Sequence, residues 1–366
     1  MILHILIDDQ FADHVVRQFS EFKNTSNFVL LSHTTEMQYF HHIDRVSMVD
    51  PVNASELENL LQLISQSDAV VFHGFSHRWH ERLLIHMPKH VKVAWLLYGG
   101  EIYGQPDLVE SFYAPISKFI YKFRKCFRRN EITYVFPKEL IKRANYCLTS
   151  EAEEVDFLNN YLHTNISHKW YTYYSIEDTV GPLMNQRCSG NNIFLGNSAG
   201  IANNHFDALW QLKRIGIGER EIITPLSYGS PWERNLCIKF GRLLFGKRFK
   251  PLVKFLPLNE YNAKMLSCSV MIQPHWRPNA HGNIITALWL GMRVYLSEHN
   301  IEYVFFKRKG CVIFSLEKDM ISKNPNVYAP LSDEDVIKNR SILRSIFSKQ
   351  QVQDACKRLV EELINS

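Results

Sequence analysis

Apolar runs rich in β-branched residues alternate with segments of helical period along almost the whole chain. Ile2–Ile7 and Ala69–His73 are typical of strands buried on both faces, because they are strand-sized and apolar except for one histidine each. In the first half we predict strands at Ile2–Ile7, Phe28–Leu31, Ala69–His73, Val91–Leu97, Tyr146–Thr149 and Trp170–Tyr174. The helices predicted between them are Ala54–Ser65, His77–His86, Pro106–Arg129 and Glu151–Leu162.

The alternation stops at residues 181–190, a polar stretch without periodicity that predicts a linker, and then begins again. Beyond it we predict strands at Asn192–Leu195, Glu221–Thr224, Val253–Leu256, Ser269–Gln273, Arg293–Ser297 and Val312–Ser315. The predicted helices are Asn203–Arg214, Pro231–Phe245, Glu260–Leu266, Ile284–Leu290, Asp333–Ile346 and Gln350–Ile364.

Two βαβ series joined by a linker predict an α/β fold with two Rossmann-like, doubly wound parallel-sheet domains that face a cleft. We assign residues 1–180 to a first domain, residues 181–190 to the linker and residues 191–330 to a second domain. Residues 331–366 form closing helices that could pack back on the first domain.

The chain of 366 residues is 46% hydrophobic and 22% charged, which excludes disordered and coiled-coil proteins. No apolar run is long enough to predict a membrane-spanning helix, and Met1–Asp8 predicts a first strand in place of a signal peptide. The seven cysteines are scattered singly, which favours reduced thiols in a cytoplasmic protein over disulfides or a zinc site.

The net charge of +5 is unevenly placed, because residues 118–143 contain nine basic residues and two acidic ones. Apolar residues recur at helical spacing in and just before this segment: Phe112, Ile116, Phe119, Ile120, Phe123 and Phe127. A helix of this kind can lie in an anionic membrane interface, with Lys122, Arg124, Lys125, Arg128 and Arg129 at the headgroups. The alternative is a helix packed on its own core with a solvated basic face. Nucleic acid is the less favoured partner, since no recognisable binding motif accompanies the segment.

Ligands of doubly wound sheets bind beyond the carboxyl ends of the strands, so the loops there are the candidate site. One loop is Gly196-Asn197-Ser198, followed by Asn204 and His205; alone, such a turn is usually structural. A second loop contains Gln273, Arg277, His281, Gly282 and Asn283 at the start of a predicted helix. Helix N–H groups, the helix dipole and a guanidinium can together hold a diphosphate without a metal.

Two residues that end neighbouring predicted strands, His73 and Glu101, are candidates for the base that takes a proton from a hydroxyl nucleophile. The structural alternatives are a hydrogen-bonded turn histidine and an acid at a helix start. Asp333-Glu-Asp335 matches the pattern of metal-dependent sugar transferases, but it follows Ser332 and is better explained as a helix start.

Five short motifs occur in order: Phe72-His-Gly74, Tyr98-Gly-Gly-Glu101, Gly196-Asn-Ser198 with Asn204-His205, Pro225-Leu-Ser-Tyr228-Gly229, and Gln273 through Asn283. Together they resemble the TDP-N-acetylfucosamine:lipid II N-acetylfucosaminyltransferases, glycosyltransferase family 56, over about residues 70–315. The chain departs from that family at Tyr98-Gly-Gly-Glu101, where the family has tryptophan-glycine-alanine-aspartate, and at His281-Gly-Asn-Ile284, where it has glycine-isoleucine-glycine-threonine.

The resemblance implies a GT-B glycosyltransferase that needs neither metal nor cofactor. It would move a 4-acetamido-4,6-dideoxyhexose from a TDP-sugar to an undecaprenyl-diphosphate-linked oligosaccharide, in the synthesis of enterobacterial common antigen or O-antigen. The enzyme would attach peripherally to the cytoplasmic face of the bacterial inner membrane. The first domain would face the acceptor and the membrane, and the second would bind the nucleotide sugar. The donor would contact Gly196, Asn197, Ser198, Asn204, His205, Tyr228, Gln273, Arg277, His281, Gly282 and Asn283.

Two other classes stay open. A GT-B-shaped nucleotide-sugar epimerase would use the same nucleotide loops but needs more acid–base groups and no membrane patch. A non-catalytic, membrane-attached carbohydrate-binding protein would need neither anion loop.

Overall fold

The structure, a computed structural model, describes residues 1–22, 24–75, 77–127 and 134–365. The chain divides into two compact units. The first unit comprises Met1–Gln105, Thr133–Tyr174 and Lys349–Ser366, and the second comprises Pro106–Ile132 and Ser175–Ser348. This division differs from the one expected from the sequence, because residues 106–132 belong to the second unit and only the last helix returns to the first.

Thirteen strands are described: β1 Ile2–Ile7, β2 Ser26–Leu31, β3 Ser47–Val49, β4 Ala69–His73, β5 Lys92–Leu96, β6 Tyr146–Thr149, β7 Ser167–Trp170, β8 Asn192–Leu195, β9 Ile222–Pro225, β10 Phe249–Leu252, β11 Cys268–Gln273, β12 Arg293–Leu296 and β13 Phe314–Ser315. The described α-helices are α1 Ala12–Phe19, α2 Ala54–Ser65, α3 Arg78–His86, α4 Gly100–Tyr103, α5 Pro115–Phe127, α6 Lys138–Ile141, α7 Ala152–Leu162, α8 Ile176–Val180, α9 His205–Ile215, α10 Pro231–Phe245, α11 Leu258–Leu266, α12 His281–Leu290, α13 Ile301–Arg308, α14 Asp333–Phe347 and α15 Lys349–Asn365.

Each unit is built on one parallel sheet. The first has seven strands in the order β3-β2-β1-β4-β5-β6-β7, and the second has six in the order β10-β9-β8-β11-β12-β13. The strand order reverses between β1 and β4 in one sheet and between β8 and β11 in the other. The predicted doubly wound architecture is therefore confirmed, and these two reversal points are where such sheets bind ligands.

Two strand predictions were wrong. The strand predicted at Trp170–Tyr174 is β7, Ser167–Trp170, and the one predicted at Val253–Leu256 is β10, Phe249–Leu252. Both are edge strands with partly exposed residues, so the apolar run that marks a central strand is absent from them. The short edge strand β3 was not predicted, for the same reason.

Residues 106–132 and the C-terminal helix change units for simple packing reasons. On α5, Ile116 and Ile120 pack against the core of the second unit, and the Ser117 hydroxyl donates to Asp207 of α9 (2.7 Å). The apolar face of α15, including Cys356 and Leu359, packs in the core of the first sheet. Burying one apolar stripe is what fixes an amphipathic helix.

The predicted linker at residues 181–190 belongs to the second unit. It begins with a single 3₁₀ turn, Gly181–Leu183, and the Cys188 N–H donates to the Leu290 carbonyl (2.7 Å). The helix start read at Asp333-Glu-Asp335 is confirmed, since the Ser332 hydroxyl accepts the Asp335 N–H (3.2 Å). Among the residues that the structure describes, no helix is both long and apolar enough to cross a membrane.

Candidate functional site

The loop that leaves β8 turns at Gly196, which has a φ of 71°. Its N–H donates to the Ile272 carbonyl on β11 (2.9 Å), and Gln273 Nε2 donates to its carbonyl (3.2 Å). A Cβ at this position would lie 2.2 Å from Nε2 of His205, the first residue of α9. Gly196, His205 and Gln273 are all buried, so they shape the loop from within, whereas the sequence had suggested contacts with a nucleotide.

Asn203 holds the outer part of this loop. Its Oδ1 accepts hydrogen bonds from the N–H groups of Asn197 (3.0 Å) and Ser198 (3.2 Å). Nε2 of the buried His275 lies 2.7 Å from the same oxygen. Burial, and to a smaller extent the charge of Arg277, lowers the pKa of His275 well below its usual value, so the ring stays neutral at pH 7. The pair Asn203–His275 therefore connects the loops that leave β8 and β11.

Asn204 was expected to contact the donor, but its side chain is fully buried and fully used. Its Oδ1 accepts the Ala114 N–H (2.9 Å), and its Nδ2 donates to the carbonyls of Phe112 (3.2 Å) and Pro274 (3.0 Å). Asn204 thus fastens the segment before α5 to the end of β11, which is a structural task.

The second loop leads into α12, whose first turn is positioned by a buried carboxylate. Glu302, 1% exposed, accepts the Asn279 N–H at Oε2 (3.2 Å), and its Oε1 lies 3.2 Å from Nδ1 of His281. Asn300 caps α13 by accepting the Glu302 N–H (2.9 Å). The sequence analysis did not identify Glu302. Its only signal is the acid after Asn300, which is typical of an ordinary helix start.

The two loops are also joined at the surface. Asn283 Nδ2 donates to Asn197 Oδ1 (2.7 Å) and to the Tyr261 hydroxyl (2.9 Å). Asn197 Nδ2 in turn donates to Asn279 Oδ1 (3.4 Å), and its side chain also hydrogen-bonds Tyr228. The amides of Asn197 and Asn283 therefore form a continuous polar floor from the β8 loop to the start of α12.

The predicted donor residues thus fall into two groups. Gly196, Asn204, His205 and Gln273 are buried supports. The partly or fully exposed ones are Asn197, Ser198, Tyr228, Arg277, His281, Gly282 and Asn283. The first N–H groups of α12 have no helical carbonyl to donate to, and they lie on the same loop as Arg277. Such a set of donors can bind an anion.

In the first unit, Glu101 was predicted to face an acceptor hydroxyl. It is 5% exposed, and its Oε1 accepts hydrogen bonds from Trp95 Nε1 (2.9 Å), the Tyr98 N–H (3.1 Å) and the Phe75 N–H (3.4 Å). Burial raises the pKa of this carboxyl above its usual value. These contacts favour the structural alternative, in which Glu101 closes the turn between β5 and α4.

His73 ends β4 as predicted, but it is 1% exposed and its Nε2 lies 3.1 Å from Nδ1 of His4. Burial lowers the pKa of His73 well below its usual value and that of His4 to about 3; the charges of His4 and His80 lower that of His73 further. An imidazole with so low a pKa is a weak general base, so the surroundings of His73 favour the structural alternative.

A carboxylate that the sequence analysis did not consider, Asp9, follows β1 at the reversal point of the first sheet. Its Oδ1 accepts the N–H groups of Phe11 (2.7 Å) and Ala12 (3.0 Å), and its Oδ2 accepts the Tyr98 hydroxyl (2.7 Å). Asp9 is partly exposed, and burial raises its pKa. The signal was available, because two acids directly follow the buried run Ile2–Ile7.

The apolar stripe predicted for α5 is divided in the structure. Ile116 and Ile120 pack on the core of the second unit, and the preceding Phe112 is buried, whereas Phe119 is 69% and Phe123 54% exposed. The packed half fits the alternative reading of a helix on its own core. The exposed half leaves two aromatic rings at the surface.

The cations predicted to meet lipid headgroups are divided too. Lys122 and Lys125 are exposed, near Glu110 (3.7 and 3.5 Å). Arg124 instead forms an ion pair with the mostly buried Glu233 and lies over the Trp232 ring, 5.3 Å from its centroid. Arg124 therefore belongs to the packing of α5 on α10, in correction of the prediction. Arg128 and Arg129 lie outside the described residues.

No protein-family model matches the sequence, and a comparison with curated proteins finds no match either. Solved structures do match along the whole chain. A glycosyltransferase from Rickettsia africae is 11% identical, with a TM-score of 0.67, over 100% of this chain and 98% of that chain. WaaG, a glycosyltransferase involved in lipopolysaccharide biosynthesis, is 10% identical over all of both chains, with a TM-score of 0.57.

A third match, HepE from Anabaena, was solved in complex with UDP and glucose. It is 10% identical over 100% of this chain and 95% of that chain, with a TM-score of 0.52. At these identities the likeness shows the fold, which is the GT-B fold of two Rossmann-like domains, as predicted.

Proposed function

We propose that the protein is a glycosyltransferase that takes its sugar from a nucleotide-sugar donor held by the second unit. The observation that carries this proposal is the loop between β11 and α12. It brings together Arg277, the N-terminus of the ten-residue helix α12 and the amides of Asn197 and Asn283, at the reversal point of a doubly wound sheet. A diphosphate leaving group needs such donors, because negative charge develops on it as the glycosidic bond breaks.

Two exposed aromatic rings at the carboxyl ends of the second sheet's strands are further evidence for a nucleoside-binding site there. Tyr228 (52% exposed) and Phe255 (79% exposed) follow the neighbouring strands β9 and β10 at their carboxyl ends. Flat rings on adjacent loops are suited to stacking on a base. The finer donor, a TDP-linked 4-acetamido-4,6-dideoxyhexose, rests only on the resemblance to family 56.

The acceptor in this proposal is an undecaprenyl-diphosphate-linked oligosaccharide, also from the resemblance. WaaG, which shares the fold, is described as acting in lipopolysaccharide biosynthesis, and this supports a surface-polysaccharide pathway. Peripheral attachment to the cytoplasmic face of the inner membrane is part of the same proposal. Phe119 and Phe123, exposed on α5 beside Lys122 and Lys125, support it.

For the base we infer Asp9 in preference to Glu101 and His73. Asp9 is a partly exposed residue at the reversal point of the first sheet, whereas Glu101 and His73 are buried, although all three have hydrogen-bond partners within the unit. Burial raises the pKa of both carboxyls, which makes each a better acceptor for a hydroxyl proton, so the exposure of Asp9 is what favours it. Glu101 and His73 remain the alternatives from the sequence.

The test is calorimetric titration of TDP into wild type and an Arg277→Ala variant. Loss of a charge-assisted contact of about 1.5–3 kcal/mol should weaken binding by about 10- to 100-fold. Arg214→Ala, which removes an exposed cation at the end of α9, is the matched control and should bind TDP like wild type.

Parallel titrations with UDP and GDP test which nucleobase the donor carries. Release of TDP from a TDP-sugar in the presence of membrane extract tests whether the sugar is transferred. Equal TDP affinities of wild type and Arg277→Ala would contradict the diphosphate assignment. Tightest binding of UDP or GDP would replace the TDP-linked donor while leaving the transferase proposal intact.

A further inference from the structure

A groove in the second unit, which shares no lining residue with the candidate donor site, has an unusual lining. It runs beside the edge strand β10, between α10 and α11, and has a volume of about 1090 Å³. Its floor is apolar, formed by side chains such as Ile223, Ile238 and Phe249. Its rim is cationic, formed by Arg242, Lys247, Lys250 and Lys264.

The positive charge around this groove is hardly compensated. Residues 234–254 contain seven Lys and Arg residues and no Asp or Glu, a second basic segment besides residues 118–143. The acid that lines the groove, Glu221, pairs with Lys250 (3.1 Å). In the described part of the chain, Arg242, Lys247 and Lys264 have no carboxylate within ion-pair distance. The rim therefore keeps a net positive charge.

The groove is poorly suited to a peptide strand. β10 has only four residues, and Pro251 in its middle has no N–H to donate, so a second chain cannot extend the sheet along it. Nucleic acid would meet the cations, but it gives no partner for the apolar floor or for Leu243, which is 81% exposed next to Arg242.

Cations around an apolar floor, with an exposed leucine on the adjoining helix, match a lipid surface. Headgroup phosphates would meet the Lys and Arg heads, while the stems of these side chains, Leu243 and the groove floor meet the acyl region. We propose that this groove is a docking site for an anionic phospholipid bilayer. The second unit would then carry two membrane contacts, this groove and the exposed face of α5.

This inference does not rest on the transfer reaction, and its residues are distinct from those of α5. The experiment measures binding of the full chain to vesicles of phosphatidylcholine with and without phosphatidylglycerol. The triple variant Arg242→Gln, Lys247→Gln, Lys264→Gln is compared with a control that removes three exposed cations elsewhere, Lys309→Gln, Lys323→Gln, Lys357→Gln.

We expect the groove variant to lose about 100-fold in binding to anionic vesicles, at about fivefold for each cation near the surface. The control should lose only about twofold through its lower net charge. Leu243→Ser should lose about fivefold on the same vesicles without a change in thermal stability, because the side chain is exposed.

Three outcomes would overturn the proposal. The groove variant binds anionic vesicles like wild type. The control loses as much as the groove variant, so that net charge alone acts. Leu243→Ser binds normally and a short RNA removes the protein from the vesicles, which assigns the groove to a soluble polyanion.

Discussion

The two units share one architecture but place opposite chemistry at the ends of their strands. In the first, carboxylates accept backbone N–H groups: Asp8 holds those of Gln38, Tyr39 and Phe40 at 2.7–3.0 Å, and Asp9 and Glu101 do the same for their own turns. In the second, amides and an imidazole connect the loops after β8 and β11 to each other, through Asn203, Asn197 and His275. Carboxylates hold these loops only from behind, since Glu233 accepts the Ile201 N–H and Glu302 the Asn279 N–H.

The charge follows the same division. The first unit has 14 Lys and Arg residues against 20 Asp and Glu, a formal net charge of −6, and the second has 28 against 17, or +11. Carboxylates suit hydroxyl groups that donate protons, whereas N–H groups and guanidinium suit phosphate. A doubly wound sheet therefore fixes where a ligand binds, and the few residues after each strand decide which ligand it is.

The largest effect is expected from Asp9→Asn, which tests whether the carboxylates of the first unit take part in the reaction. If the first unit supplies the base, turnover of a TDP-sugar should fall by about 10²–10⁴-fold with TDP affinity unchanged. Arg277→Ala in the second unit should instead weaken TDP binding. Glu101→Gln is the matched carboxylate control, since its carbonyl can keep the same N–H contacts. A collapse of turnover in Glu101→Gln with normal turnover in Asp9→Asn would reverse the assignment.

Substitution of the turn glycines Gly74, after β4, and Gly196, after β8, tests whether the two units constrain these turns equally. A Cβ at Gly74 would lie 2.6 Å from the Tyr98 ring, and one at Gly196 2.2 Å from His205. Either change to Ala should lower the free energy of unfolding by about 3 kcal/mol, from clash and left-handed backbone together. Denaturant unfolding measures it.

Gly216 has the same φ as Gly74, 82°, with nothing within 4 Å of its Cβ position, so Gly216→Ala isolates the backbone cost, about 1–3 kcal/mol. Equal losses at Gly216, Gly74 and Gly196 would show that the ring contacts contribute nothing.

Buried histidines should make the first unit sensitive to acid. Burial lowers the pKa of His80 to about 3 in the folded state, against about 6.5 when unfolded. As the pH is lowered below 6.5, the unfolded chain binds the proton before the folded one does. The free energy of unfolding therefore decreases, by about 2 kcal/mol at pH 5 for this residue. His80→Phe should remove that part of the loss between pH 7.5 and pH 5.

The comparison that matters is the change in unfolding free energy between the two pH values. His86→Phe, at the exposed end of α3, is the matched control and should keep the wild-type pH dependence. An unchanged pH dependence in His80→Phe would mean that His80 is not buried in its neutral form.

The smallest effect is expected on α5. Phe119→Ser with Phe123→Ser should reduce binding to anionic vesicles by about tenfold without lowering stability, because both rings are exposed. Ile120→Ser, on the packed face of the same helix, should lower stability instead. Vesicle sedimentation and thermal unfolding separate the two faces. Undiminished binding of the double variant would leave α5 as a helix that only packs on its own unit.

The central strands of both sheets could be predicted from the sequence alone. Apolar runs predicted β1, β4, β6 and β8 with the bounds that the structure has, because central parallel strands are buried on both faces and are therefore almost continuously apolar. It also placed the candidate loops correctly after β8 and β11. The partly exposed edge strands β7 and β10 were misplaced, since they lack that signal.

The burial and the hydrogen-bond partners of each polar residue, by contrast, depend on the tertiary structure. Asn204 and Asn197 have the same side chain on the same loop, yet one is fully buried between backbone groups of three distant residues and the other lies at the surface. Glu101 and Asp9 differ in the same way. The number of N–H groups that surround an amide or carboxylate depends on segments far apart in the chain, and no local pattern of residues records it. For the same reason α5, strongly basic in sequence, proved to belong to the second unit, where its apolar face finds a core.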